Sequence, residues 1–449
     1  MNNILRIILI LIFITSCSSG KKIKLWSKSE TKQDSQIEVE EVGAELIIDK
    51  TYKKEKTLNT EFSPNLKISL LFKPANNSLT NNNNNNNIGR VDYNGSLNTV
   101  SKFKFSKIKN IFQYNPKILF DKENIIFFDG KGSIFKFDDN FNLVWKKNYY
   151  SKSEKKQNPI LMFAKNKNKL IVTDNIAKYY ALDINTGNLL WSKKNISPFN
   201  SQIKTYKDKF FAVDFENVLR AYRTNDGNEI WNQRTENTFI RSQRKLSIII
   251  IDDNVYFNNS LGDINAININ TGELLWQTPT QSSLSNVNVY ALENSELISD
   301  NKNLYFSNNK EKFFSIDLKT GAINWQQAIS SSLRSSLVEN YIFTISNNGF
   351  LIIIEKDTGN IIRMTSIFKK QSKKFMRSKK NRDSIHPVGF IVGLKNIYLT
   401  TNKGKLYIID ILTGQTMQIL KIDSEKISNP FMLSQNLYII KDNSIIKLD

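Results

Sequence analysis

Cysteine and histidine are all but missing from this chain: its 449 residues include one of each. That scarcity removes the material for disulfide frameworks, for Cys/His zinc sites and for Ser-His-Asp or Cys-His nucleophilic catalysis. Acidic residues are also short, 42 against 63 Lys and Arg, which leaves a formal charge of +21. A surplus of that size invites a nucleic-acid or anionic-membrane reading. What is present is ordinary for a globular chain, with 40% hydrophobic, 11% aromatic and 23% charged residues, so a disordered protein is excluded.

The amino terminus reads MNNILRIILILIFITSC, with Arg6 near the start, an apolar stretch from Ile7 to Ile14, and then small residues before the lone cysteine. This is the build of a secretory signal over residues 1–16, too short to span a bilayer. Ile14-Thr15-Ser16-Cys17 resembles the bacterial lipobox, which implies that Cys17 carries diacylglycerol and becomes the mature first residue. Several acyl chains make such an anchor stable, at about 0.8 kcal/mol per buried methylene. Ser18 follows the cysteine; in Gram-negative lipoproteins Asp there signals retention at the inner membrane, so this motif implies the outer one. Residues 17–60 then read as a lipidated start and a flexible tether, polar and charged without a sustained apolar period.

The remainder, 61–449, repeats itself. ALDINTGNLLW (181–191), AYRTNDGNEIW (221–231), AININTGELLW (266–276), SIDLKTGAINW (315–325), IIEKDTGNIIR (353–363) and IIDILTGQTMQ (408–418) are copies of one element, with incomplete copies at 136–145 and 446–449. Gly187, Gly227, Gly272, Gly321, Gly359 and Gly414 recur at intervals of about 40 to 55 residues, the period of a four-stranded propeller blade. Six residues before the Asp-type position stand Gly132, Asn217, Gly262, Gly349, Gly404 and Asn443, residue types that tolerate positive φ in a tight hairpin. Pro116, Pro159, Pro387 and Pro430 precede four of the innermost strands, three of them after Asn and Pro387 after His386. The single histidine thus occupies a position that sister repeats fill with Asn, which points to structure and away from general-base chemistry.

The repeated element has a mechanical logic. Its Asp bonds backbone amides ahead of it, and its Gly supplies the left-handed residue of the turn. Four residues on, Trp191, Trp231, Trp276 and Trp325, with Trp145 in the incomplete first copy, stand on the outer strand. There a ring burying about 150–250 Å² can fill the wedge between blades and donate its indole N–H to a carbonyl next door. Arg363 and Gln418 replace Trp in the last two full copies, so those wedges must be packed differently. Eight Asp-type landmarks predict an all-β, eight-bladed propeller of four-stranded antiparallel blades. The alternating stretch 97–106 is expected to complete the last blade, closing the ring with N- and C-terminal strands in one sheet and removing open edges.

Two low-complexity segments interrupt the pattern. The Asn-rich stretch 81–87 reads as a loop. The basic insertion 369–383 (KKQSKKFMRSKKNRD) lengthens one repeat and reads as a solvated loop. Once residues 1–16 leave, the charge is +20, from 62 basic and 42 acidic residues. Export argues against a nucleic-acid partner, and the abundance of Lys, Asn and Ile is what a genome rich in A and T would produce.

Lipobox, tether and TGxxxW-type repeats together resemble the outer-membrane protein assembly factor BamB family, whose repeats are those of the pyrroloquinoline-quinone-type propellers. The resemblance implies a non-enzymatic lipoprotein scaffold without cofactor on the periplasmic face of the outer membrane. Its expected partners are the barrel-assembly subunit with POTRA domains, that subunit's accessory lipoproteins, and nascent outer-membrane proteins. The family docks through loops on one face between early repeats, which correspond here to 195–201 and 235–246; Ile196, Phe199, Arg241 and Arg244 are the candidate contacts, on the expectation that they are exposed. The repeats alone are shared with quinoprotein dehydrogenases, which carry a vicinal cysteine pair and Glu, Asn and Asp ligands that are not found here. A lipoprotein propeller that binds cell-wall or surface polymers would share the other features.

Overall fold

The computed structural model describes residues 60–71, 84–93, 95–109, 116–235, 242, 244–280, 292–310, 312–368 and 385–449. The signal 1–16, Cys17 and nearly all of the tether lie outside the described residues, as do Asn81–Asn83, Arg241 and the basic insertion 369–383.

Among the described residues the strands fall into eight four-stranded antiparallel sheets. Seven are formed by consecutive strands within 119–147 (blade 1), 161–194, 204–234, 248–278, 298–327, 336–366 and 387–421 (blade 7). The two middle strands of each blade are short runs rich in Ile, Val, Phe and Tyr. In blade 2 they are β7 (Lys169–Asp174) and β8 (Lys178–Asp183), buried along almost their whole length. Continuous apolar runs of this length fit strands covered on both faces, because each blade is packed between two others.

Outer strands behave differently. The fourth strand of blade 2, β9 (Leu189–Lys194), alternates exposed and half-buried residues. It pairs with β8 through a bulge between Ala181 and Leu182, and the same irregularity recurs at Ala221/Tyr222, Ala266/Ile267 and Ser315/Ile316. A bulge re-aims the side chains around it. Here it sets Trp191, Trp231, Trp276 and Trp325 directly opposite Ala181, Ala221, Ala266 and Ser315, small residues that leave room for an indole.

Blade 8 is closed as expected. β1 (Thr99–Lys104) pairs antiparallel with β32 (Ser444–Leu448), giving the sheet order β1-β32-β31-β30, where β30 is Phe431–Leu433 and β31 is Asn436–Lys441. Asp449 fastens the seam, accepting from the Leu97 N–H and donating its own N–H to the Asn98 carbonyl. Phe103 of β1 packs on Phe137 of blade 1, with ring centroids 4.0 Å apart.

The TG turns of blades 2, 5 and 7 follow one design. In blade 2, Asp183 Oδ1 accepts from the Thr186 N–H at 2.8 Å and its hydroxyl at 3.0 Å, while Gly187 adopts φ +72°. These bonds hold the Asp183 carboxyl below the usual carboxylate range. Of the hairpin residues predicted to take positive φ, Gly132, Asn217, Gly262, Gly349 and Gly404 do so, and Asn443 does not. Ala177, at the corresponding position of blade 2, takes φ +69° without being glycine.

Candidate functional site

Strand direction sorts the loops onto two faces. The TG turns and the hairpins between first and second strands lie on one face. The connections from each outer strand to the next inner strand lie on the other, with the hairpins between second and third strands. The predicted docking segment 195–201 and the described residues of 235–246, which are 235, 242 and 244–246, belong to this second face, called here the loop face.

Ile196 projects from it with 90% of its surface exposed. Phe199 corrects the expectation of exposure: it is 1% exposed, packed against Tyr179 and Tyr222. The reason is local. The Phe199 N–H donates to the Asp174 carbonyl and the Phe215 N–H to the Pro198 carbonyl, so the loop folds back on the hairpins of blades 2 and 3. Arg244 is half-buried and bonds Glu293 through both Nε, at 3.0 Å, and Nη2, at 2.5 Å, a fork that ties the blade 3–4 connection to the next one. Structure thus brings Phe199 into the core and Arg244 into an ion pair, and leaves Ile196 exposed. Arg241 lies outside the described residues.

The repeat residues do what their spacing implies. Indole N–H groups cross the wedges to the next blade: Trp145 to the Ile184 carbonyl at 3.2 Å, and Trp191, Trp231, Trp276 and Trp325 to Thr224, Ile269, Leu318 and Lys356, each at 3.1 Å. The ring lies flat on the next turn's glycine. A β-carbon at Gly187, Gly227, Gly272, Gly321 or Gly359 would come within 2.5–2.8 Å of it. These glycines therefore serve both the left-handed turn and the close approach of the ring.

Sequence reasoning missed two segments before the first blade that seat on the ring. Where Trp gives way to Arg363, in β25 (Ile361–Ser366), the guanidinium is fully buried and donates to the carbonyls of Leu412, of Ile411 at 3.3 Å and of Leu66 at 2.9 Å. Burial lowers its pKa. Leu66 belongs to an arm, 60–71, that pairs Phe62 with Met364 and buries Ile68 between blades 6 and 7. A second segment, 84–93, crosses the inner strands at the TG face. The carbonyl of Asn84 accepts from Ile250 N–H at 2.9 Å and that of Asn85 from Ser299 N–H at 3.0 Å. The Asn86 amide reaches Gln202, Ser247 and the carbonyls of Ile248 and Leu297. The expectation that 81–87 is a mobile loop or linker is corrected for Asn84–Asn87: Asn86 is buried, because its amide satisfies polar groups of three blades at once.

Beyond this plug, a cavity of about 530 Å³ opens toward the loop face, lined among others by Gln202, Arg244, Lys245, Glu296, Arg334 and Lys426. A void of about 30 Å³ beside Lys117 and Lys204 shares Gln202 and Lys245 with it. Glu296 receives Lys117 at 2.6 Å and Arg334 at 3.4 Å. Its pKa falls to about 2, burial being outweighed by the cations around it. Lys204 donates to Asn86 at 2.6 Å. Burial and then Lys117 push Lys204 down to about 7 and Lys245 to about 8. A signal for this cluster did exist: Lys117, Lys245, Glu296 and Arg334 stand two or three residues before the inner strands of their blades, and Lys204 opens one.

A family model described as outer membrane protein assembly factor BamB matches residues 130–365, more than half of the chain. Among solved structures, BamB from Moraxella catarrhalis superimposes with TM-score 0.62 at 15% identity, covering 79% of this chain and 99% of that one. A europium-containing methanol dehydrogenase gives TM-score 0.58 at 13% identity, covering 81% and 86%. Quinohemoprotein alcohol dehydrogenase from Comamonas testosteroni gives 0.57 at 10%, covering 80% and 78%. At such identities these likenesses show the fold alone. Comparison with curated protein sequences returns no match.

Proposed function

Because the chain belongs to the outer membrane protein assembly factor BamB family, we propose that it is a non-enzymatic scaffold of the β-barrel assembly machinery. In this reading Cys17 carries lipid, the tether spaces the propeller from the periplasmic face of the outer membrane, and the loop face docks on POTRA domains of the barrel subunit. The family match over 130–365 carries the reading. Ile196, almost wholly exposed on the predicted docking segment, supports it, since an unpartnered aliphatic side chain on a rigid ring is the material of an interface anchor.

The axis argues against the enzyme. A quinone site with Ca²⁺ needs several carboxylate and carbonyl oxygens on the metal, whereas this axis gathers Lys117, Lys204, Lys245 and Arg334 about one carboxylate, Glu296. Among the described residues no three His, Cys, Asp or Glu side chains are grouped to hold a metal ion. The donor set present does not fit the group.

Affinity purification of the full chain from native membranes tests the proposal. It is expected to recover a barrel subunit bearing POTRA repeats; recovery of cell-wall polymer alone would contradict it. Incubation with pyrroloquinoline quinone and calcium is expected to give no turnover of alcohols, and sustained turnover would restore the dehydrogenase.

A further inference from the structure

The axial cations exceed what the axis itself can neutralise. Lys245 and Arg334 line the large cavity with the carboxylate Glu296, Lys117 and Lys204 line the small void that adjoins it at Lys245, and at the mouth Arg244 and Lys426 face Glu293. Among the described residues that is six cations against two carboxylates. Glu296 is already engaged by Lys117 and Arg334. Lys245 lines both cavities and has no hydrogen bond or ion pair among the described residues.

Leaving such a group uncompensated away from bulk water is costly. Lys117, at the small void, and Glu296 and Arg334, at the larger cavity, keep 15%, 22% and 17% of their side-chain surface accessible. The volume, about 530 Å³, is that of a small-molecule site. One end is stopped by Asn84–Asn87, so a ligand enters from the loop face and meets Lys245 and Arg334, with Gln202, which accepts from the Asn86 amide, between them and the plug.

We propose that the axial cavity is a binding site for a small multivalent oxyanion of phosphate chemistry, held by Lys245 and Arg334 with Lys117 and Lys204 behind them. Several cations converging on one pocket match a group that carries two or more negative charges and accepting oxygens on every side. The site is independent of docking, since none of these side chains needs a protein partner to form it.

Two consequences separate this site from a hydrated channel. A lysine whose folded pKa is lowered costs stability while protonated. That cost is full below the folded value and fades as pH rises toward the ordinary lysine value. Lys245→Gln should therefore raise the melting temperature of the anion-free protein at pH 7, where a lysine with a structural role would lower it. Oxyanion affinity should also fall from pH 7 to pH 9 as Lys204 and Lys245 deprotonate. The other charged and titratable groups that face them are Lys117, Glu296 and Arg334, with Arg244, Glu293, Lys426 and His386 around the larger cavity.

Pyrophosphate titrated into the mature full-length chain, at ionic strength held constant with sodium chloride, tests the assignment by calorimetry and thermal unfolding. Saturable binding with a raised melting temperature is expected, weakened at least tenfold by Lys245→Gln and by Arg334→Gln. A shift equal to that from sodium chloride, or one unchanged in both variants, would overturn it. Vesicles containing phosphatidic acid identify the source: capture that depends on Lys245 assigns the site to a lipid headgroup, and pyrophosphate binding without capture assigns it to a soluble phosphate.

Discussion

Two neighbouring wedges of the ring solve one packing problem by different chemistry. Between blades 5 and 6, Trp325 lies on Gly359, stands opposite Ser315 and donates to the Lys356 carbonyl at 3.1 Å. Between blades 6 and 7, Arg363 occupies the corresponding position, opposite Ile353, with its guanidinium 3.0 Å from where a β-carbon of Gly414 would stand. The Trp wedge is complete within two blades. The Arg wedge is not, because a guanidinium has more donors than one turn has free carbonyls, and it takes the Leu66 carbonyl from the arm as well. One substitution in the repeat thus makes residues 60–71 part of the propeller.

The largest effect is expected where a Trp wedge is made too full. Gly272→Val combines a β-branched residue at φ +78° with a β-carbon 2.8 Å from Trp231. A loss of about 3–4 kcal/mol follows from left-handed strain and overpacking together, read as a lowered midpoint in urea unfolding.

Breaking the other wedge comes next. Arg363→Ala strands the carbonyls of Leu66 and Ile411, leaving that of Leu412 to the Ile68 N–H, and should cost about 2–3 kcal/mol. It should also speed protease cleavage within 60–71. Arg363→Trp sharpens the comparison: with Ile353 opposite in place of a small residue, it should not recover wild-type stability, and the arm should be cleaved as in the alanine variant. Protection of the arm in both variants would mean that Arg363 does not hold it.

The smallest effect has the opposite sign. Ala177 holds φ +69° where five sister hairpins place Gly132, Asn217, Gly262, Gly349 and Gly404 at positive φ. Ala177→Gly should stabilise by about 0.5 kcal/mol, as relief of left-handed strain exceeds the added entropy of the unfolded chain; a lowered melting temperature would contradict this.

The ring was legible because its information is repeated. Trp191 and Gly227, or Trp231 and Gly272, state the same contact in successive units, and the unpaired stretch before the first unit, 97–106, had only blade 8 to complete. What lay hidden depends on groups far apart in sequence. Asn86 looks like low complexity until Gln202, Ser247 and Leu297 are brought around it. Phe199 looks like a loop aromatic until the loop turns back on Tyr179 and Tyr222. The axial lysines resemble the rest of a basic chain until the blades converge. For the docking face, residue type alone could not separate Ile196 from Phe199; the fold of the intervening loop does.

A photocrosslinking residue placed at Ile196 on the loop face, or at Asn185 on an exposed TG turn of the opposite face, tests docking most directly in native membranes. The account predicts a crosslink to the POTRA-bearing barrel subunit from position 196 and none from 185; a crosslink from 185 alone, or to no barrel subunit from either, would contradict it.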